Sequence, residues 1–170
     1  MARHPRSRIG RTPSRAQRQA VPVVSTMIGS MTPLLPIIAT APVMPPWGLL
    51  ILIAWRMLHR NLWPVWMGLP LGLFDDIFSG QPLGSAMMLW TLSLLGLDLL
   101  DRRMVWRDFI QEWGIAGALI IAMLLGQLLI SYATGGATNP LLLLPQAIMS
   151  VLAFPLTARI CAAIDEWRLR

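Results

Sequence analysis

Two long stretches without charge constrain this chain more than any other feature. No acidic or basic side chain occurs in the 37 residues from Gln19 to Trp55 or in the 46 residues from Trp113 to Ala158. The core of a soluble domain of 170 residues is too small to bury both. A hydrocarbon layer about 30 Å thick is crossed by roughly 20 apolar helical residues, so each stretch is long enough for two crossings. The stretches therefore predict an all-α polytopic membrane protein.

The composition and the placement of charge point to the same class. Hydrophobic residues make up 55% of the chain and charged residues 13%, against about 25% charged in a typical soluble domain. No aromatic residue is interleaved with the basic residues of the N-terminal tail to stack on bases. We therefore expect this tail to contact anionic membrane lipid and not nucleic acid. Six of the 14 arginines lie in this tail: Arg3, Arg6, Arg8, Arg11, Arg15 and Arg18.

Cysteine and histidine usage predicts neither a disulfide nor a bound metal. Cys161 is the single cysteine, and His4 and His59 lie far apart in the sequence without ligand spacing. We therefore expect no cofactor.

Proline, glycine and polar clusters divide the chain into six predicted spans. The rule that positive charge stays inside then places every arginine on the cytoplasmic side, together with both termini. Arg56, near the end of the second span, can snorkel to the headgroups, so its charge does not rule out a crossing. The predicted organisation is a basic disordered cytoplasmic tail (1–19), a six-helix transmembrane domain (20–162) and a short cytoplasmic tail (163–170). The spans are approximately 21–39, 47–58, 62–78, 83–100, 113–131 and 140–160.

The third span contains an acidic pair, Asp75 and Asp76. An acid within a membrane is a functional-site candidate by default, although a position at the wetted interface is an equally simple explanation. Consecutive helical residues point about 100° apart, so the two carboxylates cannot face the same partner. Gly68 and Gly72 form a small-xxx-small pair, which predicts close packing of this span against a neighbour.

A tight turn is predicted directly after the acidic pair. Gly80 and Gly84 tolerate backbone conformations that other residues resist, and Pro82 fixes one dihedral angle between them. We hypothesise that Asp76 orders this turn by accepting backbone hydrogen bonds, worth about 1–3 kcal/mol for a charged acceptor.

This stretch resembles the signature of a known family. It reads Gly-Leu-Phe-Asp-Asp-Ile-Phe-Ser-Gly-Gln-Pro-Leu-Gly over residues 72–84. This is similar to the G-L-x-x-D-x-x-S/G-G-x-P-L-G pattern of MreD, the rod shape-determining membrane proteins of bacteria. Asp76 matches the family's characteristic aspartate, whereas Asp75 takes a variable position. The candidate structural and interaction motif is Gly72, Asp76, Ser79, Gly80, Pro82, Leu83 and Gly84.

The resemblance implies a non-enzymatic component of the inner membrane that takes part in elongation of the cell wall. Such a protein would be a helical platform for MreC, associated also with MreB, RodA and the penicillin-binding transpeptidase. The resemblance further implies a fold like that of the substrate-binding subunits of energy-coupling-factor transporters.

That fold similarity supplies the main alternative, a small-molecule-binding subunit of a membrane transporter. The polar residues Gln127, Ser131, Tyr132 and Gln146 would line its pocket. Interhelical hydrogen bonds, each worth roughly 0.6 kcal/mol, are the simpler explanation for these residues.

An intramembrane enzyme is the weakest alternative. Hard cations need several oxygen ligands that converge on one point, and the acidic pair has no second acidic cluster on its side of the membrane. Asp98 and Asp101 lie at the opposite edge, and Asp98 is spaced four residues from Arg102 for a local ion pair. We therefore predict no catalytic residues.

Overall fold

The computed structural model describes residues 15–34, 44–103, 108–136 and 140–169, and these residues are helical with short connections. Short 3₁₀ turns at Thr32–Leu34, Val65–Met67 and Pro140–Leu142 flank the longer helices. The prediction of an all-helical chain with six helical segments is confirmed for this part of the molecule. The α-helices are α1 (Arg15–Ser30), α2 (Trp47–Leu58), α3 (Gly68–Ser79), α4 (Ser85–Arg103), α5 (Phe109–Ala133) and α6 (Leu143–Leu169).

The bounds of α2 agree with the prediction, and those of other helices differ for local reasons. Helix α1 ends at Ser30, because Pro33 has no N–H to donate to the Gly29 carbonyl. The Thr32 hydroxyl donates to that carbonyl instead, at 2.7 Å. Helix α3 begins only at Gly68, since Pro64 opens a 3₁₀ turn before it.

Described residues of both predicted tails are helical in the structure. Helix α6 runs on to Leu169, through the residues that the sequence assigned to the C-terminal tail. Residues 1–14 of the predicted N-terminal tail lie outside the described residues, whereas 15–19 belong to α1.

Two of the described helices are long and apolar enough to cross a membrane. They cover Phe109–Ala133 and Leu143–Trp167, and α2 is a shorter apolar helix. The criterion here is length and composition alone.

Contacts between helix ends define two ends of the bundle. Near the start of α1, Gln19 Nε2 donates to the Leu62 carbonyl at 3.3 Å. His59, after the end of α2, lies 2.8 Å from Asp165 in the last turns of α6. The chain therefore enters α1 and leaves α6 at the same end, here called the terminal end. The far end is where α1, α3 and α5 finish and α2, α4 and α6 begin.

A buried arginine joins α2 to α4 at the terminal end. Arg56 is 4% exposed, and its guanidinium lies 2.8 Å from Asp101 and 3.6 Å from Asp98. Asp98 also pairs with Arg102 at 2.9 Å, as the spacing predicted. Arg56 does not need to snorkel outward, because two carboxylates on α4 compensate its charge inside the bundle.

Trp113 on α5 donates a hydrogen bond to a carbonyl of α6 that Pro155 leaves without a helical partner. Pro155 has no N–H, so the Val151 carbonyl lacks its usual partner four residues later. The indole Nε1 of Trp113 on α5 donates to this carbonyl at 3.0 Å. The two helices are thereby joined at the point where α6 would otherwise have an unsatisfied backbone group.

Candidate functional site

Helices α3 and α4 form the most extensive helix pair of the structure, and two glycines permit their approach. A Cβ at Gly68 would lie 2.7 Å from the Thr91 backbone, and one at Gly72 would lie 2.5 Å from Met87 Cα. Real Cβ contacts are essentially never this short. The two backbones therefore touch directly, as the small-xxx-small spacing predicted.

Asp76 connects α3 to the start of α4 through four hydrogen bonds. Its Oδ2 accepts from the backbone N–H of Gly84 at 2.8 Å and of Met87 at 3.3 Å. Its Oδ1 accepts from the backbone N–H of Ala86 at 2.8 Å and from the Ser85 hydroxyl at 2.9 Å. The side chain is 2% exposed. Asp76, a residue of α3, therefore acts as an N-terminal cap of α4.

The backbone accounting at the start of α4 is complete. The Ser85 N–H donates to the Pro82 carbonyl at 3.0 Å, and the Met88 N–H begins the helical pattern by donating to Gly84 at 3.0 Å. The N–H groups of Ala86 and Met87, in between, are those that Asp76 accepts. A helix start buried against a neighbouring helix is therefore left with no unsatisfied donor.

The turn itself needs its glycines and presents an apolar tip. Gly80 ends α3 with a φ of 67°, and Gly84 has a φ of 96°, conformations that residues with a Cβ resist. Leu83 between them is 76% exposed. Pro82 takes part through its carbonyl, and Ser79 closes α3 with a buried hydroxyl that has no partner among the described residues.

Asp75 points away from α4, as the 100° spacing requires. Its carboxylate lies beside the Ser30 hydroxyl of α1 and close to Gly48 of α2, where a Cβ would be 3.1 Å from Oδ1 and would collide with Ser30 Oγ. Ser30 is 2% exposed, and its hydroxyl has no partner with good hydrogen-bond geometry in the described part of the chain. The two adjacent carboxylates therefore contact different helices: Asp76 faces the start of α4, and Asp75 faces α1 and α2.

These groups line a cavity of about 200 Å³ at the far end, here called the far-end cavity. Gln127 and Gln146 contribute to its wall, and Gln146 Nε2 donates to the Met44 carbonyl at 3.0 Å. Ser131 and Tyr132, also expected around a pocket, are not among its lining residues. Its remaining walls come from the turns around α1, α2 and α3, with Trp47 as the aromatic residue.

A second cavity of about 270 Å³ lies toward the terminal end, between α2, α5 and α6. It is mainly apolar, with Met57, Phe109, Trp113 and Phe154 among its walls, and Glu112 is the charged residue among the described residues that line it. In the part of the chain that the structure describes, no three His, Cys, Asp or Glu side chains come together as a metal ion would require.

The sequence identified Asp75 as an acid within the third span but not the residues around it. Ser30 and Gly48 carry no local signal for a site, since one ends a helix and the other lies in an apolar run. A possible signal is the smallness of both residues, which lets α1 and α2 come close to Asp75.

Comparison with known proteins gives one family. The profile of the family described as rod shape-determining protein MreD matches residues 18–159, which include α2 to α5 and most of α1 and α6. No curated protein and no solved structure gave a significant match.

Proposed function

Because the chain belongs to the MreD family of rod shape-determining proteins, we propose that it is a non-enzymatic inner-membrane component of the wall-elongation machinery. In this proposal it is a helical platform that binds MreC and helps to position the wall synthases, namely RodA and the penicillin-binding transpeptidase, near MreB. The motif Gly72, Asp76, Ser79, Gly80, Pro82, Leu83 and Gly84 is proposed as its structural and interaction element.

The observation that carries this proposal is the set of hydrogen bonds from residues 84–87 to Asp76, here called the Asp76 clamp, which lies next to an exposed turn. Four hydrogen bonds to one buried carboxylate on α3 hold the residues that directly follow Leu83, and Leu83 itself is 76% exposed. A partner that docks on a preorganised surface loses less conformational entropy than one that must order it. The family match and the shape of this turn together support a role in binding another protein.

We further propose six membrane crossings with the far end facing outward. The described arginines with placed side chains lie toward the terminal end: Arg56, Arg60, Arg102, Arg103 and Arg159. The positive-inside rule then puts that end in the cytoplasm.

This orientation is testable with single thiols in a Cys161→Ser background, since the chain has one cysteine. In spheroplasts, an impermeant maleimide should label Leu83→Cys directly and label Arg60→Cys only after lysis. The reverse pattern would refute the orientation.

The platform is tested by purifying the tagged chain from native membranes in mild detergent and identifying the proteins that accompany it. We expect MreC and the elongation synthases. Leu83→Gln should reduce their recovery at least fivefold without lowering the amount of the chain itself. Ile110→Gln is the matched control, because Ile110 is 77% exposed but lies at the opposite end of the bundle. Equal recovery with both variants would contradict docking on this turn.

The alternative function is a small-molecule-binding subunit of a transporter. The presence of the far-end cavity favours it, whereas the small volume of that cavity does not. About 200 Å³ lies below the roughly 300–1,000 Å³ that ligand pockets usually offer. Co-purification of paired ATPases with a transmembrane coupling subunit would favour this alternative and overturn the platform.

A further inference from the structure

The far-end cavity is a polar site whose described lining residues, apart from Ser79, lie outside the proposed interaction motif. Asp75 supplies one carboxylate to its wall, and no basic side chain occurs among the described residues that line it. A buried or half-buried carboxylate is costly unless a cation or hydrogen-bond donors compensate it. Among the described residues, Asp75 therefore has no cationic partner.

Two hydroxyl groups of the cavity wall also lack a hydrogen-bond partner among the described residues. Ser30 Oγ and Ser79 Oγ are both buried, both belong to residues that line the cavity, and neither has a partner of good geometry in the described part of the chain. Gln146 uses its Nε2 on the Met44 carbonyl, which leaves its amide oxygen as an acceptor. Buried polar groups in native proteins are as a rule paired, and hydroxyl and amide oxygens accept hydrogen bonds, so these atoms can pair with a ligand that donates them.

We propose that this cavity binds a primary ammonium group, with Asp75 as its counter-ion and the hydroxyls and amide oxygens around it as acceptors. An R–NH₃⁺ group offers one charge and three donors, which matches one carboxylate surrounded by neutral acceptors. A divalent metal would need several oxygen ligands that converge on one point, whereas Asp75 is the one carboxylate among the described lining residues. A quaternary ammonium has no N–H for these acceptors. The volume of about 200 Å³ suits a group of the size of ethanolamine.

Two sources can supply this chemistry, an ethanolamine phospholipid headgroup or a free small amine. The cavity lies at the far end of the bundle, which would lie at the headgroup level if the chain crosses the membrane as proposed above. This inference rests on the geometry of the cavity, and it holds or fails independently of whether the chain binds MreC.

The test uses the purified full-length chain in dodecyl maltoside, titrated with ethylammonium chloride at constant ionic strength set with choline chloride. Because Trp47 lines the cavity, we expect a saturable change in tryptophan emission with half-saturation in the millimolar range. Thermal unfolding should shift upward over the same concentrations. Asp75→Asn should raise the ethylammonium concentration at half-saturation at least tenfold, and Ser79→Ala should raise it about threefold. Glu112→Gln, which alters the acid of the other cavity, should behave as wild type.

Bilayer nanodiscs then distinguish the two sources. If the headgroup is the ligand, phosphatidylethanolamine should raise the half-saturation for ethylammonium at least fivefold relative to phosphatidylcholine, through competition. An unchanged half-saturation would identify a free amine. The proposal is overturned if ethylammonium gives no saturable response, or if Asp75→Asn and Ser79→Ala both respond as wild type.

Discussion

Replacing Asp76 by asparagine tests the clamp most sharply, because the substitution changes one atom and leaves the shape. Each carboxylate oxygen accepts two bonds, Oδ1 from Ser85 and Ala86 and Oδ2 from Gly84 and Met87. An amide has one oxygen, so one of these pairs must face an NH₂ group. In the better orientation the Ser85 hydroxyl rotates to accept from the amide, and the Ala86 N–H is left without an acceptor.

The magnitude follows from this count. One buried unsatisfied N–H costs about 1–3 kcal/mol, and bonds to a neutral acceptor are weaker than those to a carboxylate. We therefore expect Asp76→Asn to lower the free energy of unfolding by about 2–3 kcal/mol. Asp76→Ala removes every acceptor and should cost about 4 kcal/mol or more, a large part of a typical total of 5–15 kcal/mol. Asp75→Asn, at the adjacent residue, should cost less than about 1 kcal/mol.

The assay is unfolding of the purified variants in mixtures of dodecyl maltoside and dodecyl sulfate, followed by tryptophan fluorescence. Hydrogen exchange adds a local measurement, since the amides of Ala86 and Met87 should exchange faster in Asp76→Asn than in Asp75→Asn. In cells that depend on this chain, Asp76→Ala should impair rod shape far more than Asp75→Ala. Equal stability and equal exchange in the two asparagine variants would refute the capping argument.

Two further predictions concern helix packing. Gly72→Ala should destabilise the chain by about 2 kcal/mol or more, because the added Cβ would lie 2.5 Å from the backbone of α4. Gly96→Ala, with nothing within 4 Å, should stabilise by up to about 1 kcal/mol, and similar values for both would contradict the close approach. Trp113→Phe should cost about 1 kcal/mol for its lost hydrogen bond to Val151. The same change should cost almost nothing in a Pro155→Ala background, where residue 155 donates instead, and a double-mutant cycle without coupling would exclude this account.

Some features of the site were predictable because their causes are local. The glycine spacing of residues 68 and 72 predicted close packing, and Gly80 and Gly84 predicted a turn. The resemblance to MreD was identified from the same residues before any fold was known, and the family match over 18–159 confirms it. The angular separation of the acidic pair was also predictable, since it follows from helix geometry alone.

Other features depend on residues that are remote in sequence. The burial of Arg56 was not predictable, because the sequence does not show that Asp98 and Asp101 of α4 would lie beside it. The end of α1 at Ser30 and the continuation of α6 to Leu169 also depart from the predicted spans. Hydropathy decides whether a segment is apolar, but prolines and tertiary partners decide where its helix begins and ends.

The sequence by itself therefore determined the helical class, the family and the existence of a glycine-rich turn after Asp76. Each of these depends on composition or on spacing within a few residues. The sequence also predicted that Asp76 accepts backbone hydrogen bonds in this turn, but only the tertiary structure showed that the donors include Ala86 and Met87 of α4. Only the tertiary structure placed Asp75 in the wall of a cavity with Ser30 and Gln146. The physical reason is that a polar side chain pairs with whichever groups the packed helices bring beside it, and Ser30 and Gln146, which line the same cavity, are 116 positions apart in the chain.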